Sequence, residues 1–189
     1  MILKSTSSTP IGDGYRFLAK IMRKPMQHFL KLLLASVLLL GLTLPALCGE
    51  LVPFGSGYGA GSIVIVTHAR ELYYVLGNGS AIRYPVGVGK AGMAWHGRAA
   101  VELKRLRPAW QAPPEIAGRY GPVVAGGSAR NPMGAAVLGL DRGNYAIHGT
   151  NDPGSVGRFV SHGCIRMLNG DVMDLYQRAR IGTEVIVLE

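Results

Sequence analysis

The chain has 189 residues, with 20 Lys+Arg against 11 Asp+Glu, 48% hydrophobic residues and two cysteines. That length suits one domain of about 150 residues plus an appendage. The 16% of charged residues excludes a charge-driven disordered chain, and two cysteines exclude a disulfide scaffold.

The first element in chain order is an export segment. Arg23, Lys24 and Lys31 form a basic start, Leu32 to Leu44 is an apolar run, Pro45 ends it, and Ala46-Leu47-Cys48 is a small-x-small cleavage pattern. The alternative is an uncleaved membrane anchor. Those residues span only ~20 Å as a helix, short of the ~30 Å hydrocarbon core. A lipoprotein signal at Cys48 lacks the leucine expected three residues earlier, where Pro45 stands. Residues 1–22 read as a polar cytoplasmic tail, with Met22 and Met26 as alternative starts. Residues 1–48 carry six Lys/Arg and one Asp, a net +5; residues 49–189 carry fourteen Lys/Arg and ten Asp/Glu, a net +4. More than half of the excess charge thus belongs to the signal. Nucleic-acid binding is disfavoured by that split and by export. A mildly basic remainder suits an anionic polymer such as cell wall.

Residues 49–61 are glycine-rich and read as a flexible linker, and residues 62–189 read as one domain. Strands are predicted at Ser62–Thr67, Glu71–Leu76 and Ala81–Val86, with Asn78-Gly79 as a hairpin turn. Arg98–Lys104 is a further strand. Pro108–Gly127 holds four prolines and reads as a long loop, with residues 107–127 a candidate lid over the site. Ala135–Leu140 and Asn144–His148 are strands joined by Asp141-Arg142-Gly143. Asn169 is a candidate cap for a helix whose Val172, Leu175, Tyr176 and Ala179 form one apolar face. Gly182 ends the helix, and Thr183–Leu188 is the last strand. The fold class is mostly β, with one or two short helices.

The chemistry concentrates between Ile147 and Asn169. Cleavage after Cys48 leaves Cys164 as the one cysteine. A lone cysteine is a buried hydrophobe or a reactive thiol. The ordinary thiol pKa of ~8.5 leaves little thiolate at neutral pH, so a nucleophilic Cys164 needs a base. His162, two residues before it, shares its face if the chain is extended there. His148 is the other candidate, across a Gly/Pro-containing loop, and spacing does not choose between the two. Gly163 and Cys164 can offer N–H groups to an oxyanion. Arg166 can meet a carboxylate. A zinc site built from His148, His162 and Cys164 lacks the short paired spacing of structural zinc ligands.

The run His148…Ser161-His162-Gly163-Cys164-Ile165-Arg166 resembles the motif of the L,D-transpeptidase (YkuD-type) catalytic domain. The resemblance extends over about residues 62–189 through Leu72-Tyr73, Tyr84-Pro85-Val86-Gly87-Val88-Gly89, Pro108-x-Trp110-x-x-Pro113, Asn131-Pro132-x-Gly134 and Gly182-Thr183. It implies a β-sandwich or barrel. It implies Cys164 as nucleophile, His148 as base and then acid, and Gly149 orienting the His148 ring through its carbonyl. It also implies Gly163 and Cys164 N–H as the oxyanion hole, His162 in a supporting role, and Ser161 and Arg166 shaping the substrate site. No metal or cofactor is implied. The implied reaction acylates Cys164 at the L-centre of meso-diaminopimelate in a peptidoglycan tetrapeptide, releases D-alanine, and passes the acyl group to an acceptor in the periplasm. Acceptors include a second stem peptide, the terminal lysine of an outer-membrane lipoprotein, a D-amino acid or water. Water makes the protein a carboxypeptidase or wall hydrolase. A non-catalytic wall-binding protein is the third reading. Acylation by carbapenems is also implied. Two features depart from the family pattern: Trp95-His96-Gly97 stands where many members have Thr-Pro-x-Gly, and no peptidoglycan-binding module is recognisable before the domain.

Overall fold

The computed structural model describes residues 48–112, 117–118, 121 and 123–189. The stretch expected to be an export segment lies, up to residue 47, outside the described residues, as does part of the 107–127 loop. The strands are β1 (Glu50–Pro53), β2 (Ile63–Val66), β3 (Glu71–Val75), β4 (Ser80–Pro85), β5 (Val88–Gly89), β6 (Gly97–Leu106), β7 (Trp110–Gln111), β8 (Val123–Val124), β9 (Ala136–Leu140), β10 (Ala146–His148), β11 (Phe159–Ser161), β12 (Ile165–Arg166) and β13 (Glu184–Leu188). The helix α1 covers Asn169–Arg178. A single 3-10 turn lies at Pro153–Ser155.

Nine strands form one sheet in the order β1-β4-β3-β2-β13-β6-β9-β10-β12. The sheet is open, with β1 and β12 at its edges, and not a closed barrel. Two small sheets pair β11 with β5 and β7 with β8. Alternation along the strands divides the apolar residues between two faces. One face gathers Ile63, Ile65, Leu72, Tyr84, Leu138, Leu140, Ile147, Val185 and Val187 against Val172 and Leu175 of α1. Each such side chain contributes ~1.5–3 kcal/mol on burial. The opposite face carries a smaller cluster of Val64, Val75 and Ile186, covered by Phe54, Tyr58 and Tyr73.

The predicted β2–β3–β4 meander is present, with its second turn widened to Leu76–Gly79 and closed by the Leu76 N–H on the Ser80 carbonyl at 3.0 Å. Three expectations change. Glu50–Pro53, expected as part of a linker, is an edge strand paired antiparallel to Arg83–Ser80. Its four residues are too few to show a period, and the glycines after it mask it. The 107–127 loop contains a short ladder, Trp110↔Val124 and Gln111↔Val123. Asn131 Nδ2 donates to the Pro108 carbonyl at 2.8 Å and to the Ala125 carbonyl at 3.1 Å, fastening the base of that loop. Asn169 does not cap α1: Leu168 holds the cap position, with no side-chain capping bond. Asn169 Oδ1 instead accepts from Ala135 N–H at 3.0 Å and Thr150 N–H at 3.1 Å, while Nδ2 donates to the Thr150 carbonyl at 3.0 Å.

Candidate active site

Two short parallel strands bring the reactive residues together. β10 and β12 pair Ile147 with Ile165 and His148 with Arg166. One step back in that register sets Cys164 beside Ala146. Cα of Cys164 and His148 are then about 8 Å apart by strand geometry, with both side chains on one face. Both line a cleft of about 540 Å³, together with Trp110, Met133, Asn144, Tyr145, Ser161, His162 and Arg166. Sixteen residues of chain, including the 3-10 turn, make the return between the two strands.

His148 is 2% exposed, and its Nδ1 lies 2.6 Å from the Gly149 carbonyl. A carbonyl only accepts, so Nδ1 carries the hydrogen and Nε2 is the basic nitrogen. Burial pushes the ring down to about 4; the Gly149 carbonyl opposes this, the Arg166 guanidinium adds to it, and the Pro132 carbonyl opposes it again. Gly149 has to be glycine for a local reason: a Cβ there would meet Asn169 Oδ1 at 2.3 Å. The Asn169 bridge thus sits directly against the residue that orients the imidazole.

Cys164 is half-buried. Burial pushes its thiol up, opposed by the Ala146 N–H and by Arg166. Its sulfur lies 3.8 Å from the Asn144 carbonyl. At rest the cleft therefore presents a neutral thiol and a neutral imidazole.

The segment Ser161–Cys164 is a turn, and not the extended run in which His162 would share a face with the sulfur. Ser161 Oγ donates to the Cys164 carbonyl at 2.6 Å and accepts from Gly163 N–H at 3.1 Å. Gly163 has φ +120°, and a Cβ there would lie 2.3 Å from Tyr145 Cε1. Both facts restrict the position to glycine. The Gly163 N–H, expected as an oxyanion donor, is already held by Ser161. His162 is exposed, with Nε2 3.3 Å from Lys90 Nζ. An ammonium only donates, so His162 Nε2 is an acceptor there. Arg166 is half-buried, lines the cleft and, among the described residues, has no carboxylate within ion-pair distance.

Of the seven expected residues, Cys164, His148, His162, Ser161 and Arg166 line the cleft, while Gly149 and Gly163 bond to His148 and Ser161 without lining it. Sequence reasoning missed Tyr145, Asn169 and the function of Trp95. Trp95 is 8% exposed, its Nε1–H donates to the Gly163 carbonyl at 3.0 Å, and it stacks on Tyr145 at 5.3 Å with 3° between the planes. Asn131-Pro132-x-Gly134 was a signal, because a Cβ at Gly134 would run into the same Asn169 oxygen. In the sequence Trp95 stands out only as part of the Trp95-His96-Gly97 departure from the family pattern, which assigns it no role. Among the described residues no group of three or more His, Cys, Asp or Glu could hold a metal ion.

Comparison with known proteins shows the family. The family profile of the L,D-transpeptidase catalytic domain (YkuD) matches residues 60–187. The chain is 35% identical over 135 residues to the probable L,D-transpeptidase YbiS of Escherichia coli, covering 66% of this chain and 43% of that one. It therefore spans less than half the length of that relative. It is 35% identical over 133 residues to the putative L,D-transpeptidase YqjB of Bacillus subtilis, covering 67% of this chain and 70% of that one. Among solved structures, L,D-transpeptidase 3 from Mycobacterium tuberculosis, in complex with a faropenem-derived adduct, superposes with TM-score 0.55. The superposition has 16% identity and covers 69% of this chain and 60% of that chain.

Proposed function

The chain belongs to the L,D-transpeptidase catalytic-domain family, and from that premise we propose that it is an exported cysteine acyltransferase of the cell wall. Its donor is a peptidoglycan tetrapeptide stem, cut at the L-centre of meso-diaminopimelate, and its acceptor is an amine. The observation that carries this is the Cys164–His148 pair in one cleft, with His148 Nδ1 committed to Gly149 and Nε2 left basic.

The steps follow from the protonation states. His148 Nε2 takes the thiol proton as the sulfur attacks the carbonyl carbon. Negative charge develops on the carbonyl oxygen and is met by backbone N–H. Collapse breaks the C–N bond, and His148 returns its proton to the departing D-alanine amine. A thioester remains on Cys164. An acceptor amine attacks it, loses a proton to His148, and the thiol is regenerated. The Arg166 guanidinium, which has no carboxylate partner among the described residues, supplies a carboxylate partner for the stem. The same chemistry predicts acylation by a carbapenem. The basic balance and the N-terminal apolar run support a periplasmic site of action.

The test mixes the intact chain, and separately its Cys164→Ala variant, with a disaccharide-tetrapeptide and reads masses of protein and products. Expected is a cross-linked dimer that has lost one D-alanine, absent with the variant. Tripeptide alone means that water is the acceptor, and the hydrolase reading replaces this one. No acylation by this substrate or by a carbapenem rejects acyl transfer, leaving the wall-binding reading.

A further inference from the structure

Trp95 stands behind the cleft and does not line it. Its indole N–H donates to the Gly163 carbonyl at 3.0 Å from a buried position. That carbonyl belongs to the same planar peptide unit as the Cys164 N–H. In a trans peptide the two point in opposite directions, and the chain has no cis bond among the described residues. Anchoring the carbonyl on Trp95 therefore turns the Cys164 N–H away from the indole. Among the described residues no acceptor engages that N–H, whereas the neighbouring Gly163 N–H is taken by Ser161. A hydrogen bond at the carbonyl also polarises the peptide and strengthens its N–H as a donor.

The indole is itself held on two sides. Tyr145 stacks on one face, and the Arg142 guanidinium lies 4.9 Å from the ring centroid. Tyr145 in turn walls Gly163, whose φ of +120° leaves the peptide conformationally permissive. Without an external anchor, the glycine would let the Gly163–Cys164 peptide rotate.

We propose that Trp95 is a positioning residue for acyl transfer, fixing the Gly163–Cys164 peptide so that the Cys164 N–H is the oxyanion donor. This rests on the acyl-transfer reading above and names the device that serves it. The decisive comparison uses two reactions of the same sulfur. Acylation passes through an oxyanion and needs the donor; alkylation by iodoacetamide is a displacement at a saturated carbon and does not.

The experiment measures both rates at Cys164, read by peptide mass because Cys48 is a second, exposed thiol, on the intact chain and on Trp95→Phe, which keeps an aromatic ring against Tyr145 and removes the N–H. Expected is a fall of about 10–100-fold in the acylation rate by tetrapeptide and carbapenem, carried in kcat with KM little changed. Alkylation should stay within about twofold, because it does not use the donor. Equal loss of both rates, or no loss of either, overturns the assignment. Should Trp95→Phe lose its cooperative melting transition, benzothienylalanine at position 95 takes its place. It keeps the bicyclic shape, lacks the donor, and has the same two outcomes. A wild-type chain that is alkylated normally but never acylated would reject the acyl-transfer reading, and this assignment with it.

Discussion

At Cys164 and His148 two neutral groups meet in one cleft, and their pH behaviour follows. With the thiol pushed up by burial and the imidazole down to about 4, no thiolate–imidazolium pair forms near neutrality. Iodoacetamide alkylation of Cys164, read by peptide mass apart from the exposed Cys48, should therefore keep accelerating beyond about pH 9, with no plateau between about pH 5 and 8; a plateau there would mean a preformed ion pair. The imidazole also links stability to pH. It titrates near ~6.5 when unfolded and at about 4 when folded, so the unfolded chain binds the extra proton between those values. Its contribution is full above about pH 6.5 and is lost as pH falls toward about 4, on the order of 3 kcal/mol. His148→Gln should flatten that part of the melting profile; an unchanged slope would place the loss on other groups. Ser161→Ala removes both bonds that close the 161–164 turn and should lower stability by ~1–3 kcal/mol, read as a shift in urea midpoint.

At the scale of elements, the β10–β12 pair and α1 carry the site between them. Asn169 joins α1 to the Ala135 and Thr150 backbone, next to the Gly149 that holds His148. Asn169→Ala should cost ~1–3 kcal/mol and lower kcat more than it raises KM. Asn169→Asp keeps the acceptor and should lose less. A fall in melting temperature with kcat intact would make the bridge a support of the fold alone. Sequence made the motif residues legible because Ser-His-Gly-Cys is contiguous. It made β2, β3, β4 and β13 legible because their β-branched runs and turn residues agree. It could not show β5, β11 or β12, which have two or three residues each and owe their form to partners far along the chain. Trp95 escaped for the same reason: its partner is a backbone carbonyl 68 positions away, and backbone carbonyls leave no trace in residue identity.

For the whole molecule, residues 48–53 belong to the domain. β1 covers the free edge of β4, and only the Arg83–Glu50 ion pair on it is electrostatic and exposed, a contact of little value. A chain starting at Phe54 should keep its cleft and its Cys164 alkylation rate but associate through the bared β4 edge, seen as a concentration-dependent rise in sedimentation. β13 has a larger consequence. It is the last strand in the chain, yet it lies between β2 and β6, with four strands on either side. While a ribosome is still short of residue 184, the nascent polypeptide has every catalytic side chain but two half-sheets with nothing to join them. Folding of this domain must then wait until Glu184–Leu188 has been made. A premature stop just before that strand would spare each residue of the cleft and still erase the protein.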